Sequence, residues 1–273
     1  MTYFGVLLRF IVVPIIILGI VLWILRRRGR QLPHSLQGWP ATWALLGHIA
    51  VALLYTTPWD NYLVATRVWW YDVNLVTGIV IGWVPIEEYT FFILQTVLSG
   101  FWLLLIARFL PVPDEGPWSN PRLRKTSTAI VLLLWVAAVL LPVFIGDQGN
   151  YLALELGWAL PPIALQLGFG ADILWRYRRL AFWSIVPATL YLSVVDALAI
   201  QSGTWTINPE QTVNIELFGV LPLEEFIFFL VTNIMVGFGM TLVLARESHE
   251  RMENEIIPWS RRLTRRGRVQ QNG

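Results

Sequence analysis

The chain has 273 residues, of which 56% are hydrophobic and 14% charged, with 20 Lys+Arg against 18 Asp+Glu. Its mean hydropathy is +0.58, too apolar for an ordinary soluble domain. The absence of cysteine excludes disulfides, thiolate catalysis and Cys-ligated metals.

The apolar residues fall in blocks long enough to cross a bilayer, which takes about 20 helical residues. Read in chain order, they predict membrane helices over 3–25, 40–57, 86–109, 126–146, 150–172, 181–200 and 222–245. The first block, Tyr3 to Leu25, is too long for a signal-peptide core and lacks a small-residue cleavage site, so it reads as a retained span. The expected fold is therefore an all-α integral membrane protein with seven transmembrane helices. Arg26, Arg27, Arg28 and Arg30 follow the first span. Arg122, Arg124 and Lys125 precede the fourth, Arg176, Arg178 and Arg179 lie between the fifth and sixth, and a basic tail follows Ala245. By the positive-inside rule the N-terminus is outside and the C-terminus cytoplasmic. The tail reads as a solvated end that meets anionic lipid, with no nucleic-acid role expected.

Two segments repeat. Pro85-Ile86-Glu87-Glu88-Tyr89-Thr90-Phe91-Phe92 returns as Pro222-Leu223-Glu224-Glu225-Phe226-Ile227-Phe228-Phe229, a shift of 222 − 85 = 137. Asp60, Trp69 and Asp72 return as Asp196, Trp205 and Asn208 at a shift of 136, and Gly82 and Gly219 each precede a motif proline by three residues. A one-residue length difference between Asp72 and Gly82 accounts for the change. Residues 1–110 and 150–246 thus read as two three-helix repeats joined by a connecting helix in 111–149, with 247–273 as the tail. An odd span between the repeats makes them parallel, related by an axis along the membrane normal. Val73 to Val84 is apolar, but joined to the third span it would give a helix of about 55 Å. Pro85 also disfavours helix in the residue before it. A break at each proline is expected, with the preceding stretch folding over or dipping into the outer mouth.

On the helices that start at these prolines, Glu88, Phe91, Phe92 and Gln95 share a face, as do Glu225, Phe228, Phe229 and Thr232. Acids in a first turn can simply complement the helix dipole. Two doublets at equivalent membrane positions ask for more, because charge in lipid is costly. Crowded carboxyls suit paired acid and base work, and aromatic faces suit a cationic intermediate. Asp60 and Asp72 are candidate loop caps as well as candidate site acids; Asp196 lies in an apolar run. Trp69 and Trp205 read either as interfacial anchors or as site walls. His34, His48 and His249 do not cluster, so no metal site is expected. Gly168-Phe169-Gly170 and Gly237-Phe238-Gly239 lie in membrane spans without a preceding strand, so no dinucleotide cofactor is expected either.

At these residues the chain resembles the small integral-membrane lycopene cyclases, whose mark is a duplicated Pro-x-Glu-(Glu/Gln)-x-x-Phe-Phe element. Thr57-Pro58-Trp59-Asp60, Trp69-Trp70-Tyr71-Asp72 and Gly203-Thr204-Trp205 share the likeness, which spans about residues 1–246. With no synthase domain following, it is similar to the stand-alone fused form. The resemblance implies a cofactor-free, redox-neutral isomerisation in the cell (inner) membrane that turns the linear ψ-ends of lycopene into β-rings, giving γ- and β-carotene. It implies Glu87, Glu88, Glu224 and Glu225 as the acid/base set, with Asp60 and Asp196 relaying protons. Phe91, Phe92, Phe228 and Phe229, with Trp69 and Trp205, would wall the cavity. The substrate would enter sideways from the lipid, and other carotenoid-pathway enzymes are implied partners. Read from the residues alone, a proton-coupled transporter or a carotenoid-binding scaffold fits the same features, and a C50 or one-end cyclase needs similar parts.

Overall fold

The computed structural model describes residues 1–111 and 119–256. Long helices dominate: α1 (Tyr3–Arg27), α2 (Ala41–Ala65), α3 (Ile86–Ile106), α4 (Pro121–Val139), α5 (Asn150–Arg176), α6 (Arg178–Gln201) and α7 (Leu223–Leu244), followed by the short α8 (Arg246–Arg251). Among the described residues, six helical runs are long and apolar enough to cross a membrane. The expected fourth and fifth spans form one such run, Pro121–Arg176. That run folds back on itself at Gly146, whose φ of 67° is open to glycine but strained for other residues. The Trp135 indole N–H donates to the Gly157 carbonyl at 3.0 Å, and a Cβ on Gly168 would lie 3.3 Å from Thr128 Oγ1. Pro121–Val139 and Asn150–Arg176 therefore run antiparallel as a helical hairpin.

Burial is inverted relative to a water-soluble protein. Leu54, Phe144 and Leu165 are more than three-quarters exposed, while Gln95, Thr96, Ser99, Thr232 and Asn233 are buried. Lipid tolerates the first set, and interhelical hydrogen bonds satisfy the second. Between α3 and α7, Gln95 Nε2 donates to Thr232 Oγ1 at 2.8 Å and Ser99 Oγ to Asn233 Oδ1 at 2.6 Å. These links clamp the two helices about two turns, or about 10 Å, below the motif glutamates.

Short strands qualify the all-α expectation. Trp69–Tyr71 (β1) pairs antiparallel with Trp205–Ile207 (β4), Val80–Ile81 (β2) with Val84–Pro85 (β3), and Glu216–Leu217 (β5) with Leu221–Pro222 (β6). The hairpins replace the helix that Pro85 and Pro222 forbid. Each proline is extended (ψ 152° and 143°) and caps the helix that follows. The stretch 73–84 folds back ahead of α3, where Leu75 O accepts from Tyr3 N at 2.8 Å and Ile79 O from Ile86 N at 2.9 Å.

Many local features recur at fixed shifts. The left-handed residues Arg67, Gly78 and Gly82 have counterparts in Gly203, Asn214 and Gly219, at 136, 136 and 137 residues. The β1–β4 register is unchanged by exchanging its strands: Trp69 faces Ile207 and Tyr71 faces Trp205. The extra residue is Phe218, in a turn that is one residue longer between Leu217 and Leu221 than between Ile81 and Val84. Tyr55 donates to Trp158 O at 2.9 Å and Tyr191 to Phe10 O at 2.7 Å. Since 158 − 10 = 148, α1 and α5 correspond at that shift, which also matches Tyr3 with Tyr151 and Pro14 with Pro162.

At the other end of the bundle, Arg251 Nη1 and Nη2 each donate to Asp172 at 2.8 Å. Asp172 also accepts from Asn120 N and Ile173 N, and Arg124 lies 3.8 Å away. Asp172 is fully buried and Arg251 nearly so. The pair ties the segment after α7 to α5, and Arg251→Met removes the buried carboxylate's bidentate partner. A loss of about 3 kcal/mol is expected, read as a lower melting temperature in detergent with the site itself unchanged. The basic tail beyond residue 256 lies outside the described residues.

Candidate functional site: an aromatic chamber holding four carboxyls

α2 runs unbroken through Pro58, so Asp60 sits inside a helix rather than in a loop and is 1% exposed. Its counterpart Asp196 lies inside α6 and is likewise buried. α3 and α7 bring Glu88 and Glu225 to the same place. All four line one chamber of about 60 Å³ beneath the β1–β4 ribbon. Asp72, by contrast, accepts from Asn74 N at 2.9 Å in a local turn and does not line the chamber.

The two members of each glutamate doublet part company. Glu87 Oε1 accepts from Thr77 N at 2.6 Å and Glu224 Oε1 from Val213 N at 2.7 Å. Both are buried but absent from the chamber wall, and each pins the loop before its own helix. Glu88 and Glu225 point inward instead. Tyr71 donates to Glu88 Oε1 at 2.8 Å and itself accepts from Trp69 Nε1 at 2.8 Å. Burial, then the nearby Glu88 and Asp60 charges, push the Tyr71 phenol well above its ordinary pKa, so it remains a donor. Tyr151 donates to Glu225 Oε1 at 2.6 Å, and Trp205 Nε1 to Asp196 Oδ1 at 2.9 Å. Among the described residues, no donor reaches either oxygen of Asp60.

The halves thus carry different chemistry at equivalent points. Ile207 stands where the first half has Tyr71, and Glu155 stands where it has Leu7. Glu155 is fully buried, with both oxygens unpartnered, and near enough to Glu225 and Glu224 to feel their charges. The sequence reading did not single out Tyr3, Tyr151, Trp59 or Glu155. Glu155 was visible by the argument used for Asp196, as an acid within the apolar run 150–172.

Phe91, Phe92, Phe228, Phe229, Trp69 and Trp205 all line the chamber. Trp59 stacks on Trp158 with centroids 4.5 Å apart and on Phe228 at 6.0 Å, and its indole N–H is fixed by Leu154 O at 2.9 Å. Phe91 meets Phe229 edge-on at 6.3 Å. Ring faces of this kind attract positive charge without attacking it.

The arrangement gathers four carboxyls in one aromatic chamber. Comparison with known proteins gives the family: residues 1–106 and 148–243 match the model described as "Lycopene cyclase", and the chain belongs to that family. It is 43% identical over 204 residues to the lycopene beta-cyclase of Halobacterium salinarum, covering 72% of this chain and 82% of that one. It is 34% identical over 203 residues to the bifunctional lycopene cyclase/phytoene synthase of Arthroderma gypseum, and 33% over 198 residues to that of Aspergillus oryzae. Those matches cover 70% and 71% of this chain but 34% and 33% of the fungal proteins. No solved structure matches it.

Proposed function

We propose that this member of the lycopene cyclase family closes the ψ-ends of lycopene to β-rings with Glu88 and Glu225 as the proton-transferring pair. The observation that carries this reading is their convergence, from equivalent helix starts, on one aromatic chamber that also holds Asp60 and Asp196. One carboxyl protonates the terminal alkene. The neighbouring double bond closes the six-membered ring, and another carboxyl removes a proton from the cyclic cation. No atom or electron is gained or lost. Exclusion of water matters, because water would trap the cation as an alcohol.

Each turnover leaves the base protonated and the acid ionised. Asp60, Asp196 and Glu155 then return the proton within the enclosure. Glu87 and Glu224 act as positioning residues that hold the loops over the outer mouth, and Phe91, Phe92, Phe228 and Phe229, with Trp69 and Trp205, wall the cation's space.

The reading extends to topology. Seven crossings of the cell membrane, the N-terminus outside and the C-terminus cytoplasmic, place both motif helices inward from the outer face. Two parallel repeats around a central axis are supported by the shared shifts, by the symmetric β1–β4 register, and by the contact of Gln95 with its own counterpart Thr232. The test is expression in a bacterial host that accumulates lycopene, followed by chromatography of the pigments. Conversion to γ- and β-carotene is expected; unchanged lycopene beside well-folded protein would overturn the assignment.

A further inference from the structure

The chamber is too small for its task. A ligand pocket typically offers about 300–1,000 Å³, and the space around the four carboxyls is about 60 Å³. Next to it lies a second cavity of about 630 Å³, between α2, α5 and α7. The two share Phe92 and Phe228 as common walls, while Trp158, stacked on Trp59, faces the larger one. Trp43 and Leu165, which line the larger cavity, are 65% and 76% exposed. Along α2 it extends from Trp43 to Tyr55, about 18 Å at 1.5 Å per residue.

We propose that this cleft binds the polyene chain of the substrate, with one ψ-end passed through the Trp59–Trp158–Phe228 stack into the chamber. The inference rests on the cyclase reading above and identifies the route by which a rod-like hydrocarbon reaches the acids. Three observations favour the polyene over a lipid tail. The cleft abuts the chamber across two shared aromatic walls, Phe92 and Phe228. Its length suits an extended chain. Two of its polar groups pair with backbone: His48 Nδ1 with Ala44 O at 2.7 Å, and Gln166 Nε2 donates to Met235 O at 2.9 Å.

The groove is open at Gly47 on α2, where an added Cβ would meet nothing within 4 Å. The counterpart of Gly47 on α6, at 47 + 136, is Trp183.

The test fills the groove without touching the acids. Gly47→Phe projects a ring into the cleft, and because glycine is a poor helix former the change does not weaken α2. Two quantities are measured in detergent or liposomes: KM and kcat with lycopene, and lycopene binding by quenching of intrinsic tryptophan fluorescence, which needs no turnover. The expected result is weaker binding and a KM raised at least about tenfold, with kcat changed far less. Leu165→Trp on the facing wall acts in the same direction, and Trp183→Phe in the other half changes neither quantity. Binding and KM unchanged in a folded Gly47→Phe protein would overturn the groove. A wild-type protein that binds lycopene without forming rings would instead overturn the cyclase reading, while weaker binding in Gly47→Phe still supports the groove. No lycopene binding at all defeats both.

Discussion

Glu88→Gln and Glu225→Gln are each expected to lower turnover by about 10²- to 10⁴-fold, the range for loss of one general acid or base, with the protein still folded. Glutamine keeps the side chain's size, and its carbonyl still accepts from Tyr71 or Tyr151. It cannot carry the proton. The neighbouring Glu87→Gln and Glu224→Gln changes have a different signature. Their side-chain carbonyls still accept from Thr77 N and Val213 N, so turnover falls far less. Glu87→Leu removes that acceptor from the Thr77 N–H and costs stability of about 1 kcal/mol. Chromatography of pigments from each variant, beside melting curves of the purified proteins, separates the two classes. If Glu87→Gln were as inactive as Glu88→Gln at the same melting temperature, the inner/outer division of each doublet would be wrong.

That division was only partly legible in the sequence. Spacing placed Glu88 with Phe91 and Phe92, and Glu225 with Phe228 and Phe229, and these face the chamber together. What spacing does not contain is the loop N–H that captures the first glutamate of each doublet, a long-range contact set by hairpins just upstream of the prolines. The break at Pro85 and Pro222 followed from local backbone physics, and it is there. The passage of α2 through Pro58 did not, because neighbouring helices can compensate a proline inside a bundle. Asp60 consequently moved from a possible loop cap to a buried wall residue. The β1–β4 ribbon was hidden for a related reason: three residues on each side are too short for a period-2 pattern, and their partners lie far apart in the chain. The repeat paired the first span with the fifth from the start, but not their residue-by-residue match, which is carried by scattered tyrosines and prolines at a third shift, outside any continuous motif.

Glu155 is a buried acid where the first half carries Leu7, and Glu155→Leu installs that residue. A buried carboxyl with no partner for either oxygen lowers stability, by about 1–3 kcal/mol for an unsatisfied polar group in protein interiors. A residue kept only for packing would give leucine an advantage without penalty. The proton-return role predicts opposite movements: a higher melting temperature in detergent and a steady-state turnover lowered by about 10- to 100-fold, less than for Glu225→Gln because the ring-closing pair is intact. A single-turnover measurement sharpens the point. The first ring per enzyme needs only the proton already in place, so its formation should stay near the wild-type rate while later turnovers slow. If Glu155→Leu is stabilised and cycles at full speed, the proton returns by another path, through Asp60 and Asp196. If first and later turnovers slow equally, Glu155 acts on Glu225 during ring closure itself rather than between cycles.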